Sequence, residues 1–224
     1  KAFSASIYLH KKQETANAKS LVAIMALQTA HGDVMQVSAA GPDAEAAIKT
    51  LAELLLTGCG EVVAGPMQVA VNAVEASSLT VLRGVCASPG SAFGQVVQIA
   101  EQNLEVNELG STPQVERDHL SRALAEALVA LQQLRDNAKS DAQADIFKAH
   151  QELLEDPGLL EVAHVLIDEG KSAGFAWRSA TESAATLFKS LGNALLAERA
   201  ADLVDVSQRV LKLILGVRDQ AMEL

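Results

Sequence analysis

Five histidines, His10, His31, His119, His150 and His164, are the side chains of this 224-residue chain best suited to proton transfer, metal binding or covalent chemistry. Two of them close Glu-x-x-His pairs, Glu116 with His119 and Glu161 with His164. On a helix that spacing puts both side chains on one face, and two such pairs are half the donor set of a di-iron carboxylate bundle. Glutamate is common in this chain, so such pairs also arise by chance, and His119 sits at the edge of an apolar stripe. His150 falls on the apolar side of its segment, where a partly buried structural histidine is the plain reading. Cys59 and Cys86 form no Cys-x-x-Cys pair, which excludes a zinc site of that type or a disulfide framework and fits a reducing compartment.

A second cluster is acidic. Between Ser140 and Pro157, helical spacing places Asp141, Asp145, Glu152 and Asp156 on one side, and Ile146, Phe147, His150, Leu153 and Leu154 on the other. Ser140 or Asp141 can cap the first turn, and Pro157-Gly158 is expected to end the run. Such a face is either a solvated surface or a receptor for a basic partner. The charge is also uneven. The chain carries −10 overall; residues 101–224 hold 21 acids and 12 bases, whereas residues 1–100 are near balance. This excludes a nucleic-acid surface or an anionic membrane as partner. No signal peptide or 18-residue apolar run is visible, so the chain reads as soluble, without membrane insertion.

The elements that must position these residues fall into two groups. Residues 3–11 alternate as a strand, with a polar turn expected at Lys12–Thr15. Ser20 caps a short apolar helix, Leu21–Leu27, that His31-Gly32 stops, and Val34–Ser38 gives another strand. Gly41-Pro42-Asp43 then opens a helix with Ala47, Ile48, Leu51, Leu54 and Leu55 on one face. Residues 59–82 read as a linker, and 83–111 as short β-prone pieces around the turn Ser88-Pro89-Gly90. That turn lacks the Gly-Lys-Ser/Thr ending of a phosphate loop. From Thr112 the chain reads as helix, with the stripe Leu120, Leu124, Ala127, Leu131 and Leu134. Further helices are expected over Leu159–Glu169, Ala173–Leu191 and Leu195–Leu215. Only seven aromatics (five Phe, one Tyr, one Trp) among many Ala and Leu favour close-packed helices. The fold class is therefore α+β, a small sheet module followed by a mostly helical bundle.

Two stretches resemble known families. Ala18-Lys19-Ser20-Leu21, Gly32-Asp33-Val34 and Ala44–Ile48 resemble the second half of HPr, the histidine-containing phosphocarrier, an open-faced β-sandwich. Its His-x-Arg-Pro-type motif has no match here, so residues 1–58 are expected to be a partial, truncated HPr-like module. Gly84-Val-Cys-Ala-Ser-Pro-Gly-Ser-Ala-Phe-Gly94, Ile146-Phe-Lys-Ala-His150 with Leu153–Asp156, and Ala197–Leu203 with Asp205 resemble the N-terminal part of enzyme I. That enzyme is the phosphoenolpyruvate–protein phosphotransferase of bacterial sugar uptake. The pair of modules is similar to the multiphosphoryl transfer proteins, often linked to fructose.

The resemblance implies that residues 83–111 open the α/β subdomain of enzyme I, that 112–217 form its HPr-binding helical subdomain, and that 218–224 are a tail. It implies an HPr-type phosphocarrier as partner, docking at Asp141, Asp145, Glu152, Leu153, Leu154, Glu155, Asp156 and Arg199. Ser20 matches a regulatory phosphorylation site of some HPr relatives, although its place as a helix cap is already a structural role. The resemblance also implies no cofactor in this segment, with magnesium held by a C-terminal domain beyond it, a cytoplasmic protein and a monomeric fragment. A non-catalytic helical adaptor and the di-iron bundle are the alternatives. Because neither phosphohistidine motif is present, incubation with labelled phosphoenolpyruvate and magnesium is expected to leave no acid-labile label on any of the five histidines; stoichiometric label on one would overturn this.

Overall fold

The computed structural model describes residues 2–30, 32–58, 93 and 104–217. The described residues of 2–58 and 104–217 belong to one compact unit. The expected linker and nearly all of the expected opening strands lie outside the described residues. Of the latter, the described stretch 104–111 holds a single bridge, Leu109 to Lys171, and no strand.

Strands β1 (Ser6–Lys11), β2 (Glu14–Asn17) and β3 (Gln36–Ala40) form an antiparallel sheet in the order β2-β1-β3. The hairpin turn is only Lys12-Gln13, with Lys12 at φ 55°, so the polar stretch expected as a turn continues as a strand from Glu14. Ala16 makes that strand worthwhile by burying opposite Leu9. His10 ties all three strands, its ring bonding Thr15 Oγ1 (2.9 Å) and Ser38 Oγ (2.7 Å).

Helix α1 (Leu21–Ala26) and helix α2 (Ala44–Leu56) cover one face of the sheet. Asp43 accepts the amides of Ser4 and Ala5, both at 2.7 Å, and so fastens the start of α2 to the strand lead. Gly41, at φ 143°, passes so near Ala5 that a Cβ there would lie 2.8 Å from the Ala5 Cα. The expected apolar face of α2 is corrected. Ala44, Ala47 and Leu51 meet the sheet, while Ile48, Leu54 and Leu55 are exposed, because three strands reach only one line of the helix.

Five helices build the bundle: α3 (Pro113–Asp136), α4 (Asp141–Leu154), α5 (Pro157–Asp168), α6 (Ala173–Ser190) and α7 (Ala194–Leu215). Trp177 and Phe188 lie fully buried among Leu120, Leu131, Ile167, Leu203, Val206 and Val210. Buried Ala173, Ala176, Ala180 and Ala184 along α6 keep the backbones close. In the α3 stripe Leu120, Ala127 and Leu131 are buried as expected, whereas Leu134 at the helix end is exposed.

Glu116 locks the bundle's entrance. Its carboxylate accepts the Ser111 amide (2.8 Å) and hydroxyl (2.9 Å) with one oxygen and the Ala173 amide (2.8 Å) with the other. One side chain thus holds the turn before α3 to the first turn of α6. Burial pushes the carboxyl up, but the three donors outweigh it and hold Glu116 below the ordinary glutamate range. A depressed folded pKa gives stability that is present above the unfolded value, about pH 4.3, and lost as the pH falls through the folded one. Glu116→Gln is therefore expected to cost about 1–3 kcal/mol at pH 7, and the gap to wild type should close below about pH 4 in urea titrations.

Candidate functional site

Helix α1 is six residues long and apolar on two sides. Ala23, Ile24 and Leu27 face the sheet beside Leu9 and Ala16. Leu21, Val22 and Met25, displaced by two residues in the same i, i+1, i+4 pattern, pack against the bundle core. A helix apolar all round needs cover on both sides. The sheet supplies one cover, and α4, α5 and α6 supply the other.

The polar centre of this contact is Asp156, which is wholly buried. Its Oδ1 accepts the Ser20 hydroxyl (2.8 Å) and the amides of Gly158 (2.8 Å) and Leu159 (3.3 Å); its Oδ2 accepts the Val22 amide (3.0 Å). Asp156 thus caps α5 and also serves the first turn of α1. Ser20 caps α1 itself, accepting the Ala23 amide at 3.0 Å, and with 1% of its surface exposed it is enclosed by the contact. Gly158 makes room: a Cβ there would stand 3.0 Å from Ser20 Oγ.

Two sequence expectations change here. The acidic helix does not run to Pro157; α4 ends at Leu154, and Asp156 is the N-cap of α5 rather than a member of a solvated face. The cause is Pro157, which has no amide to continue the ladder and drives Asp156 into extended backbone, φ −70° and ψ 117°. Ile146, expected inside, is 54% exposed. Asp141 and Asp145 stand exposed on the first half of α4, Glu152 is half-buried, and Glu155 is the exposed C-cap. Leu153 and Leu154 are buried at the end of α4 in the bundle core. The structure therefore brings Ser20 to Asp156, next in the chain to the Leu153–Glu155 turn, and leaves Asp141 and Asp145 two to four helical turns away along the chain.

Arg199, on the exposed face of α7, bonds Asp202 at 3.0 Å rather than Asp205. Asp202 in turn faces His150, its Oδ1 3.8 Å from Nε2, and neither His150 ring nitrogen has a hydrogen-bond partner. Sequence reading missed Asp202, which lies on a predicted helix without a spacing signal, and singled out Glu116 only as one member of a Glu-x-x-His pair, not as a tie between helix starts. The cap role of Asp156 was signalled by Asp-Pro-Gly, an N-cap followed by proline at the first helical position.

The di-iron arrangement finds no support. The Glu116 carboxylate is taken by its three donors, and His119 and Glu161 are exposed. Burial and the neighbouring Arg117 push His164 below its ordinary value, while Arg117 holds Asp168 across from α3 to α5 (2.6 Å). Among the described residues no group of three His, Cys, Asp or Glu is placed to hold a metal.

Residues 83–199 match the family model for the PEP-utilising enzyme, N-terminal region, and residues 1–56 match that for the PTS HPr component phosphorylation site. The chain belongs to the PEP-utilising enzyme family. A multiphosphoryl transfer protein of Rhodobacter capsulatus is 34% identical over 96% of the chain and 28% of its own length. A second, from Xanthomonas campestris, is 33% identical over 94% and 26%. A phosphoenolpyruvate-protein phosphotransferase of Staphylococcus carnosus is 36% identical over 61% of the chain and 25% of its own length. The chain thus spans about a quarter of these relatives. An enzyme I solution structure superposes at TM-score 0.48, with 26% identity over 51% of this chain and 49% of that one. In this PEP-utilising enzyme chain, α1 comes from the HPr-matched segment and its seat from the other.

If Asp156 joins the two segments, its loss and that of Ser20 must not add. Asp156→Ala is expected to cost about 2–3 kcal/mol and Ser20→Ala about 1 kcal/mol, with a coupling of at least about 0.5 kcal/mol in a double-mutant cycle by urea denaturation. Additive losses would mean the 2.8 Å bond carries nothing.

Proposed function

We propose that this chain is part of a phosphoenolpyruvate-dependent phosphotransferase system protein, a multiphosphoryl transfer protein that relays phosphate through histidines for sugar uptake. The segment's own contribution is a docking surface for an HPr-type phosphocarrier. The observation that carries this is the seat of α1: a helix from the HPr-matched segment rests on the α4–α5 junction of the PEP-utilising segment, held by Asp156. That two covalently joined modules meet through a fully buried carboxylate and three apolar side chains supports reading that junction as a carrier surface.

Asp141 and Asp145 extend the surface as an acidic flank. They lie in the half of the chain that carries nearly all the excess negative charge, where they can steer a carrier presenting positive charge without touching it in the final complex. Phosphoryl transfer is largely positioning, so a surface that places a carrier is a working part of the machine. None of the described histidines is given the acceptor role. On this reading magnesium is held by a C-terminal domain of the parent protein, beyond this segment. No described helix is long and apolar enough to cross a membrane; a cytoplasmic, monomeric fragment accords with this reading.

Titration with an intact HPr-type phosphocarrier in excess should perturb the amides of Leu153, Leu154, Gly158 and Leu159, and binding should weaken as salt rises, since exposed charges are screened beyond about 10 Å at 0.1 M. Reversing Asp141 and Asp145 together to Lys should lower the association rate about tenfold at low salt while changing stability by less than about 1 kcal/mol. A carrier that perturbs nothing on α4 or α5 at any concentration would end the docking reading.

A further inference from the structure

The seat on the α4–α5 junction holds one helix at a time, and in this structure that helix is the chain's own α1. Leu21, Val22 and Met25 cover the bundle core there, and both oxygens of Asp156 are engaged, one by Ser20 and the α5 amides, the other by Val22. Gly158 lies so near Ser20 that a Cβ there would stand 3.0 Å from its Oγ. A second helix cannot reach Asp156 while α1 is in place. We propose that α1 occludes the docking surface in cis, so that a free phosphocarrier binds only when the chain's own HPr-like segment has lifted off.

The proposal rests on the docking reading above and adds mutual exclusion to it. Because α1 and its seat belong to one chain, a free carrier must compete with an intramolecular contact. The cis helix therefore sets a threshold: it reduces the apparent affinity for free carriers by the fraction of time the seat is open. The design of α1 suits a reversible cover. Its sheet-facing residues Ala23, Ile24 and Leu27 stay satisfied when the module lifts, while only Leu21, Val22 and Met25 lose their cover.

The test uses the whole chain and two variants on the cis side, Val22→Asp and Met25→Ser, which leave the receiving surface untouched. Trp177, the single tryptophan, is buried in the bundle and reports by fluorescence that the bundle is intact. Without any carrier, both variants should shift the amide resonances of Gly158 and Leu159 and speed exchange of the residue 22 and Ala23 amides. Unchanged Gly158 and Leu159 resonances would show that α1 does not sit there and would overturn the proposal. With an intact HPr-type phosphocarrier, both variants should bind at least tenfold more tightly than wild type. Equal, measurable affinity for all three proteins would refute occlusion while leaving the docking reading standing; no binding to any of them, with the bundle intact, would refute both. A variant whose HPr-like segment unfolds still opens the seat, so the comparison holds in that case as well.

Discussion

The polar part of the joint between the two halves of this unit rests on one buried carboxylate. Asp156 receives four hydrogen bonds, two from its own helix and two from a helix more than 130 residues earlier. A buried charge without partners is costly, so its position is tolerable only while the donors are in place. Two of those donors, the Gly158 and Leu159 amides, are permanent features of α5. The other two arrive with α1. Asp156 is thus half-satisfied by the bundle alone and fully satisfied only by the assembled pair, which is the property expected of a residue at a reversible contact rather than in a core.

The bundle beneath it is held together in a different way. Its interior is built from alanine, leucine and valine around one tryptophan and one phenylalanine, with small side chains along α6 keeping helices near one another. Glu116 closes the same bundle where the chain enters it, by holding the turn before α3 to the start of α6. Both carboxylates act at helix starts, where backbone amides lack partners of their own, and each ties a helix to a segment remote in sequence.

What could be read from the sequence was whatever depends on local periodicity and end signals. The helices of the bundle, the Ser20 cap and the burial of Leu120, Ala127, Leu131, Leu153 and Leu154 all follow from spacing. What could not be read depends on neighbours supplied from elsewhere. Ile146 has the spacing of a core residue but no neighbouring helix covers it, and Ile48, Leu54 and Leu55 outreach a three-stranded sheet. Asp156 failed in the opposite direction: its charge suggested solvent, whereas Pro157 made it a cap and α1 then buried it. Charge alone does not predict exposure where a proline sets the backbone. The candidate site was therefore legible as a neighbourhood, Leu153 to Asp156, but not as a contact, since nothing in local spacing links Ser20 to Asp156.

Asp141 and Asp145 on α4 and Asp156 at the start of α5 therefore have separate roles. Asp141 and Asp145 are exposed, so their field is screened within about 8–10 Å at physiological salt and can alter encounter rates but scarcely hold a complex. Asp156 is shielded from salt by burial, so its bonds bear on dissociation and register instead. A carrier approaching this surface would first feel the flank and only then meet the carboxylate at the α4–α5 junction. Since the chain's own α1 already satisfies that carboxylate, encounter and capture are decoupled here: the flank stays available to any basic partner, while the anchor is available to one helix at a time.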